Sequence, residues 1–217
     1  MSRVVLMNDP AVASIPVADA GEPLLDLEEL GIASFSDRKR DTNPLLSLVR
    51  ESVASRLEQA AHALPSGIRF LGVEAYRPAA LQRRYYQHYR EQLESDNPDL
   101  TDDELSALTA RFVAPPELAP HPSGAAIDLT LCDTHGRELD LGSPVDATPE
   151  ASNGACFTDA AGLSEEAATN RRILVTALTA AAMVNYPTEW WHWSYGDRYW
   201  AMTVTADTAI YGAVTGD

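Results

Sequence analysis

Glu189-Trp190-Trp191-His192-Trp193 sets a carboxylate and an imidazole three residues apart and surrounds them with three of the chain's four tryptophans. Such a pair in an apolar wall suits metal-assisted hydrolysis, the imidazole ligating zinc and the carboxylate taking a proton from zinc-activated water. The same stretch also reads as an aromatic core strand with one satisfied histidine, because E-x-x-H alone is a weak motif. A catalytic zinc usually keeps three His or carboxylate ligands and one open position for water. His121, Asp128 and His192 offer that set, with Glu189 placed as the base. The competing arrangement makes Asp128 a turn cap and both histidines structural.

The elements that must position these residues read as follows. Residues 1–43 have few periodic signals and form an irregular arm, with Arg38 to Arg40 a solvated charged face. Asn43 caps a helix with Pro44 at its first position, and Leu46, Val49, Val53, Leu57, Ala60 and Leu64 recur at helical spacing until Pro65 and Gly67. Ile68 to Tyr76 is a strand ending at Arg77-Pro78. A helix follows, roughly Ala79 to Leu93, packing through Leu81, Tyr85, Tyr86, Tyr89 and Leu93. Thr101-Asp102-Asp103-Glu104 is a capping box that opens another. Prolines 115, 116, 120 and 122 stiffen an extended loop.

His121 ends that loop, and the residues after Ala125 alternate as a strand. Ile127, Leu129 and Leu131 face a core, while Asp128 projects from the other side among small neighbours. Asp133-Thr134-His135-Gly136 is a turn, with Arg137 to Leu141 returning as a hairpin partner. Residues 142–162 read as loop, Ser164 caps a helix from Glu165 to Val184, and Arg198 to Val204 reads as a strand. Pro187 forces Glu189 to Trp193 into extended structure. A flat strand would point Glu189 and His192 to opposite faces, so a bend or bulge near its start is expected. The interleaving predicts an α+β single domain over 1–217, with a small, mainly antiparallel sheet, helices packed on it and a catalytic core at about 44–205.

Composition narrows the function. The 217 residues carry a formal charge of -16, which repels nucleic acid and anionic membrane. Two cysteines outside any C-x-x-C pair make no disulfide framework, and no apolar run suits a signal peptide or a membrane span, so a cytoplasmic protein is expected.

Three motifs occur in order: Glu74-Ala75-Tyr76-Arg77-Pro78, His121-x-x-Gly124-x-Ala126-x-Asp128, and Glu189-Trp190-Trp191-His192. Together they resemble the D-alanyl-D-alanine dipeptidases, zinc enzymes of the D,D-peptidase superfamily, over about residues 70–201. The resemblance implies one Zn2+ per chain on His121, Asp128 and His192, Glu189 as catalytic base, and Arg77 polarising the scissile carbonyl. It implies Asp146, in Asp140-Leu141-Gly142-Ser143-Pro144-Val145-Asp146, as the anion that meets the substrate's ammonium. The partner is a small D,D-dipeptide, in peptidoglycan metabolism or glycopeptide resistance. Ala119 stands where relatives often have Ser, which removes a donor for the substrate's carboxylate, and Pro122-Ser123 replaces a more polar pair. A peptidoglycan carboxypeptidase or endopeptidase, or a zinc-bearing binding module without turnover, are the other functions such motifs allow.

Overall fold

The computed structural model describes residues 4–214. In chain order it contains a one-turn helix α1 (Pro10–Ala13), strands β1 (Leu24–Asp26) and β2 (Ser34–Phe35), a 3-10 turn (Asp37–Lys39) and β3 (Leu48–Arg50). Helix α2 (Glu51–His62), β4 (Arg69–Glu74), α3 (Ala79–Asp96), α4 (Asp102–Thr109), a second 3-10 turn (His121–Ser123) and β5 (Ala126–Cys132) follow. The chain closes with α5 (Glu165–Ala180), β6 (Val184–Tyr186), β7 (Glu189–Ser194) and α6 (Arg198–Val204). The main sheet has the order β2-β4-β5-β7-β6 and is antiparallel except for the β2–β4 pair; β1 and β3 form a separate ribbon. This is the α+β architecture expected from the sequence. Among the described residues no helix is long and apolar enough to cross a membrane.

Strand alternation divides the sheet's two faces. Ile127, Leu129 and Leu131 of β5 enter the core cluster with Val53 and Leu57 of α2 and Leu174 and Leu178 of α5. Burying each such side chain contributes about 1.5–3 kcal/mol, so this face anchors the fold. Asp128 lies on the opposite face. There the register aligns Glu74 of β4, Asp128 of β5 and His192 of β7 in one row across three strands.

Several elements depart from the sequence reading. Asn43 caps no helix: its buried side chain donates to Glu74 Oε1 (2.9 Å) and the Tyr76 carbonyl (2.8 Å). Residues 44–47 form a turn, β3 pairs with β1, and α2 starts at Glu51, so Leu46 and Val49 are buried by turn and strand. Helix α5 stops at Ala180 because Ala182 takes a left-handed φ of 59° and Val184–Tyr186 turns back as β6. The predicted strand at Arg198 to Val204 is helix α6, since the Asp197 carboxylate accepts from Tyr199 N (3.2 Å) and Trp200 N (3.0 Å) as an N-cap. The Arg137 to Leu141 return shrinks to a bridge between Cys132 and Glu138, with Leu139 N donating to the Leu131 carbonyl (2.8 Å). The arm is largely irregular, yet β2 within it forms the sheet's edge beside β4; residues 1–3 lie outside the described residues. The capping box at Thr101 forms as expected.

The bulge expected in the tryptophan stretch is present. Asn185 pairs with Trp193 and Tyr186 with Glu189, so one step along β6 spans four along β7. Asn185 bridges this irregularity, its Nδ2 donating to the carbonyls of both Glu189 and His192 (3.0 Å each). An Asn185→Ala variant is expected to lose about 1–3 kcal/mol by leaving these carbonyls without that donor, read as a lower urea midpoint.

Candidate metal and catalytic site

His121, Asp128 and His192 come from three different elements and meet on the face of the sheet opposite Ile127, Leu129 and Leu131. Their ligand atoms lie within 4.8 Å of one another, and all three residues are buried. His121 sits in the 3-10 turn that Pro120 introduces and Gly124 closes. Gly124 has φ 70°, and a Cβ there would stand 2.5 Å from Leu24 Cδ2, so glycine is favoured where the turn joins β5. His121 Nδ1 donates to the Ala75 carbonyl (2.6 Å), which leaves Nε2 as the acceptor-bearing nitrogen, 3.3 Å from Asp128 Oδ2. That backbone contact is the kind of support that orients a metal-binding imidazole. His192 Nδ1 lies 2.9 Å from Asp128 Oδ1, and its buried Nε2 has no hydrogen-bond partner.

The protonation pattern suits a cation. Burial drives the His121 imidazolium pKa down, which keeps the ring neutral as a ligand must be. Burial would raise Asp128 strongly, but the two imidazoles hold its carboxyl well below the usual range. His192 moves the other way: burial lowers it, and the Asp128 hydrogen bond outweighs that and raises it. His192 and Arg77 thus bring positive charge to the buried Asp128 carboxylate, a charge that a metal ion can supply instead. Two imidazoles and a carboxylate in this geometry fit zinc.

Glu189 and His192 line the same cavity, of about 280 Å³, as the bulge requires. The Glu189 carboxyl is buried, and burial pushes its pKa up to about 8. The neighbouring tryptophans of β7 join the hydrophobic core rather than the cavity lining. Trp190 and Trp191 meet edge to face at 5.4 Å, Trp190 Nε1 donates to Ser143 Oγ (2.9 Å) and Trp193 Nε1 to the Trp190 carbonyl (3.0 Å). All three indoles are almost fully buried and belong to the core cluster, as the core reading of this stretch expects.

Arg77 follows β4 and is buried. Its guanidinium donates to Glu74 Oε2 (2.6 Å) and Gln82 Oε1 (2.7 Å), lies 3.9 Å from Asp128 Oδ2 and sits 4.9 Å over the Tyr85 ring. Glu74 is fully buried; burial raises its carboxyl, but Arg77 and Lys39 pull it down to about 2. Asp146 lines the cavity from the long loop, in a left-handed conformation (φ 66°) that aspartate tolerates better than most residues. All six residues singled out in the sequence therefore border one cavity.

One expectation fails here, and one residue was missed. The face of α3 carrying Tyr85 and Tyr89 is half buried; it packs, with Tyr89 against Phe112 at 5.3 Å, and also lines the cavity. Lys39 is not solvated. The 3-10 turn after β2 carries it inward, where Nζ lies 3.0 Å from Glu74 Oε2 and 2.8 Å from Asp146 Oδ2 with 16% of its side chain exposed. Nothing within Asp37-Arg38-Lys39-Arg40-Asp41 separates Lys39 from its neighbours; only the pairing of β2 with β4 does.

The sequence profile of the D-ala-D-ala dipeptidase family matches residues 34–209. A D-alanyl-D-alanine dipeptidase of Synechocystis sp. is 28% identical over 222 residues, covering 87% of this chain and 87% of its own length. One of Escherichia coli is 27% identical over 145 residues, covering 67% of this chain and 64% of its own length. A zinc-bound crystal structure of a mutant vancomycin-resistance D,D-pentapeptidase, VanY, aligns with a TM-score of 0.44 and 15% identity over 75% of this chain and 80% of that one. That last likeness is too distant to bear on the site. The family profile spans most of the chain and all three motifs, and the protein belongs to the D-Ala-D-Ala dipeptidase family of zinc metallopeptidases.

Proposed function

We propose that the chain hydrolyses D-alanyl-D-alanine or a close D,D-dipeptide, using one zinc ion held by His121, Asp128 and His192. The observation that carries this reading is the convergence of that triad with Glu189 and Arg77 on one small cavity. Zinc bound there would supply Lewis acidity, polarising a carbonyl oxygen and making water easier to deprotonate near neutral pH. Glu189 in its ionised form, which the charge of a bound metal would favour against the protonated form that burial stabilises, accepts the proton and hands it to the leaving amine. Arg77, already held by Glu74 and Gln82, donates to the oxyanion as the carbonyl is attacked. Asp146 is the anion at the amino end. At about 280 Å³ the cavity sits near the lower limit of ligand pockets, in keeping with a dipeptide.

The deciding experiment is a hydrolysis panel of D,D, L,D and L,L dipeptides with and without zinc. Zinc-dependent turnover of the D,D pair supports the reading, and an intact D-Ala-D-Ala with stoichiometric zinc would sink it. Arg77→Met is expected to lower kcat about 100- to 1,000-fold with a smaller change in KM, the range for losing one oxyanion donor. Arg77→Lys restores little, because a single ammonium cannot reproduce the fork that holds Glu74 and Gln82 together.

The reading treats residues 1–217 as one catalytic domain and places it in the cytoplasm, where reduced thiols such as the free, buried Cys132 and Cys156 are at home. Cell-wall salvage of D,D-dipeptides or glycopeptide resistance would be its setting, with neither nucleic acid nor membrane as partner. A second reading, D,D-carboxypeptidase action on longer peptides, is favoured by one observation, the ion pair between Lys39 and Asp146.

A further inference from the structure

One wall of the catalytic cavity comes from the N-terminal arm. Met7 is 2% exposed and lines the cavity that holds the metal triad, together with Ala114 and Tyr186. Its backbone N–H donates to the Tyr186 hydroxyl (3.3 Å), and Tyr186, on the edge strand β6, stands edge-on to the His192 ring with centroids 6.1 Å apart. A small core of its own holds the arm there. Met7, Val12, Tyr186 and Tyr199 form a cluster separate from the main core, the Tyr199 hydroxyl donates to the Val5 carbonyl (3.3 Å), and the Asp9 carboxylate caps α1 by accepting from Ala11 N (3.0 Å). A side chain packed in this way moves aside only by opening the cluster, which makes Met7 a firm boundary.

The position of this wall says which part of a substrate meets it. Lys39 and Asp146 mark the amino end, at the β2–β4 side of the sheet. Asp128 and His192 lie in the middle, on β5 and β7, and Tyr186 with Met7 lies past His192 at the β6 side. A dipeptide whose ammonium meets Asp146 and whose scissile carbonyl meets the metal extends its C-terminal residue toward β6. Met7, Ala114 and Tyr186 carry no charge for a terminal carboxylate, so they suit an apolar side chain. Met7 also precedes residues 34–209, the span matched by the family profile, so the shared motifs do not fix this boundary.

We propose that Met7 is a specificity-determining residue that limits the size of the C-terminal side chain, favouring D,D-dipeptides that end in D-alanine or a residue of similar size. This rests on the hydrolytic reading of the site, with Asp146 at its amino end. Met7 takes no part in metal binding or proton transfer.

The test compares D-Ala-D-Ala, D-Ala-D-Phe and D-Phe-D-Ala on the zinc-loaded full chain, for wild type, Met7→Ala and Met7→Leu. Met7→Ala is expected to raise kcat/KM for D-Ala-D-Phe about ten-fold or more relative to D-Ala-D-Ala, the discrimination that even one methylene gives in an apolar pocket, and to leave D-Phe-D-Ala unchanged on the same scale. Met7→Leu nearly conserves volume and should stay near the wild-type ratio. Each ratio is taken on one preparation, so a partly unfolded variant still reports it. Calorimetric titration of the three dipeptides into the zinc-loaded Glu189→Ala variant, with and without Met7→Ala, reads the same ratios in Kd without turnover. In that binding series an unchanged D-Ala-D-Phe ratio overturns the role of Met7, and an equal or larger gain for D-Phe-D-Ala overturns its place at the C-terminal side. Absence of hydrolysis of all three dipeptides by the wild type, with binding still shifted toward D-Ala-D-Phe by Met7→Ala, overturns the hydrolytic reading alone.

Discussion

Replacing Glu189 with alanine is expected to lower kcat by about 100- to 10,000-fold, the range for a positioned general acid–base group, while zinc content stays at one ion per chain. The two halves of this expectation come from the same geometry. Glu189 lies outside the His121–Asp128–His192 triad, so its loss leaves the ligands intact, yet it shares their cavity. Stability separates a functional carboxylate from a structural one. No hydrogen bond to the Glu189 carboxylate occurs among the described residues, and burial raises its pKa from 4.5 to about 8. A carboxyl raised in the folded state favours folding below its unfolded value and loses that contribution as pH rises through about 8. The metal-free Glu189→Ala variant should therefore melt no lower than wild type at neutral pH, and should gain on it as pH rises from about 4.5 to about 8, then level off. Full activity of the variant would remove Glu189 from the chemistry, and a large fall in melting temperature would assign it to the framework.

Residues whose roles depend on local chain geometry were legible in the sequence, and those that depend on distant pairing were not. Asp128 could be placed because strand alternation alone puts it opposite Ile127, Leu129 and Leu131. The bulge before His192 could be anticipated because Pro187 ends one element and two side chains three apart must share a face. Helical spacing misled where a turn, a strand and a helix follow one another: Leu46, Val49 and Val53 are three or four apart yet belong to three elements. Arg198 to Val204 was misread because the Asp197 cap is itself what decides between helix and strand there. Lys39 lies furthest from sequence reach. Its inward direction depends on β2 lying beside β4 and on Asp146 arriving from a loop more than a hundred residues away, and neither leaves a local pattern.

Asp128→Asn is expected to reduce zinc affinity by more than about 100-fold, since losing a second-shell partner alone typically costs 10–100-fold and Asp128 is itself a ligand candidate. Hydrolysis should disappear with the metal. The substitution preserves shape but removes the one negative charge shared by His121 Nε2 (3.3 Å), His192 Nδ1 (2.9 Å) and Arg77 (3.9 Å). With the anion gone, an incoming cation loses the carboxylate that offsets its charge, while Arg77 keeps Glu74 as its partner and still repels the metal. Zinc measured by atomic absorption after dialysis should fall from one per chain to near zero, while circular dichroism keeps the α+β signature. The contrast with Glu189→Ala is the sharper result. One variant should be inactive with zinc and the other inactive without it, and that dissociation is what a ligand set with a separate base requires. Retention of stoichiometric zinc after Asp128→Asn would mean that the central carboxylate of the row is a scaffold for two histidines rather than a ligand, and the metal would then have to be sought on His121 and His192 with a donor other than Asp128.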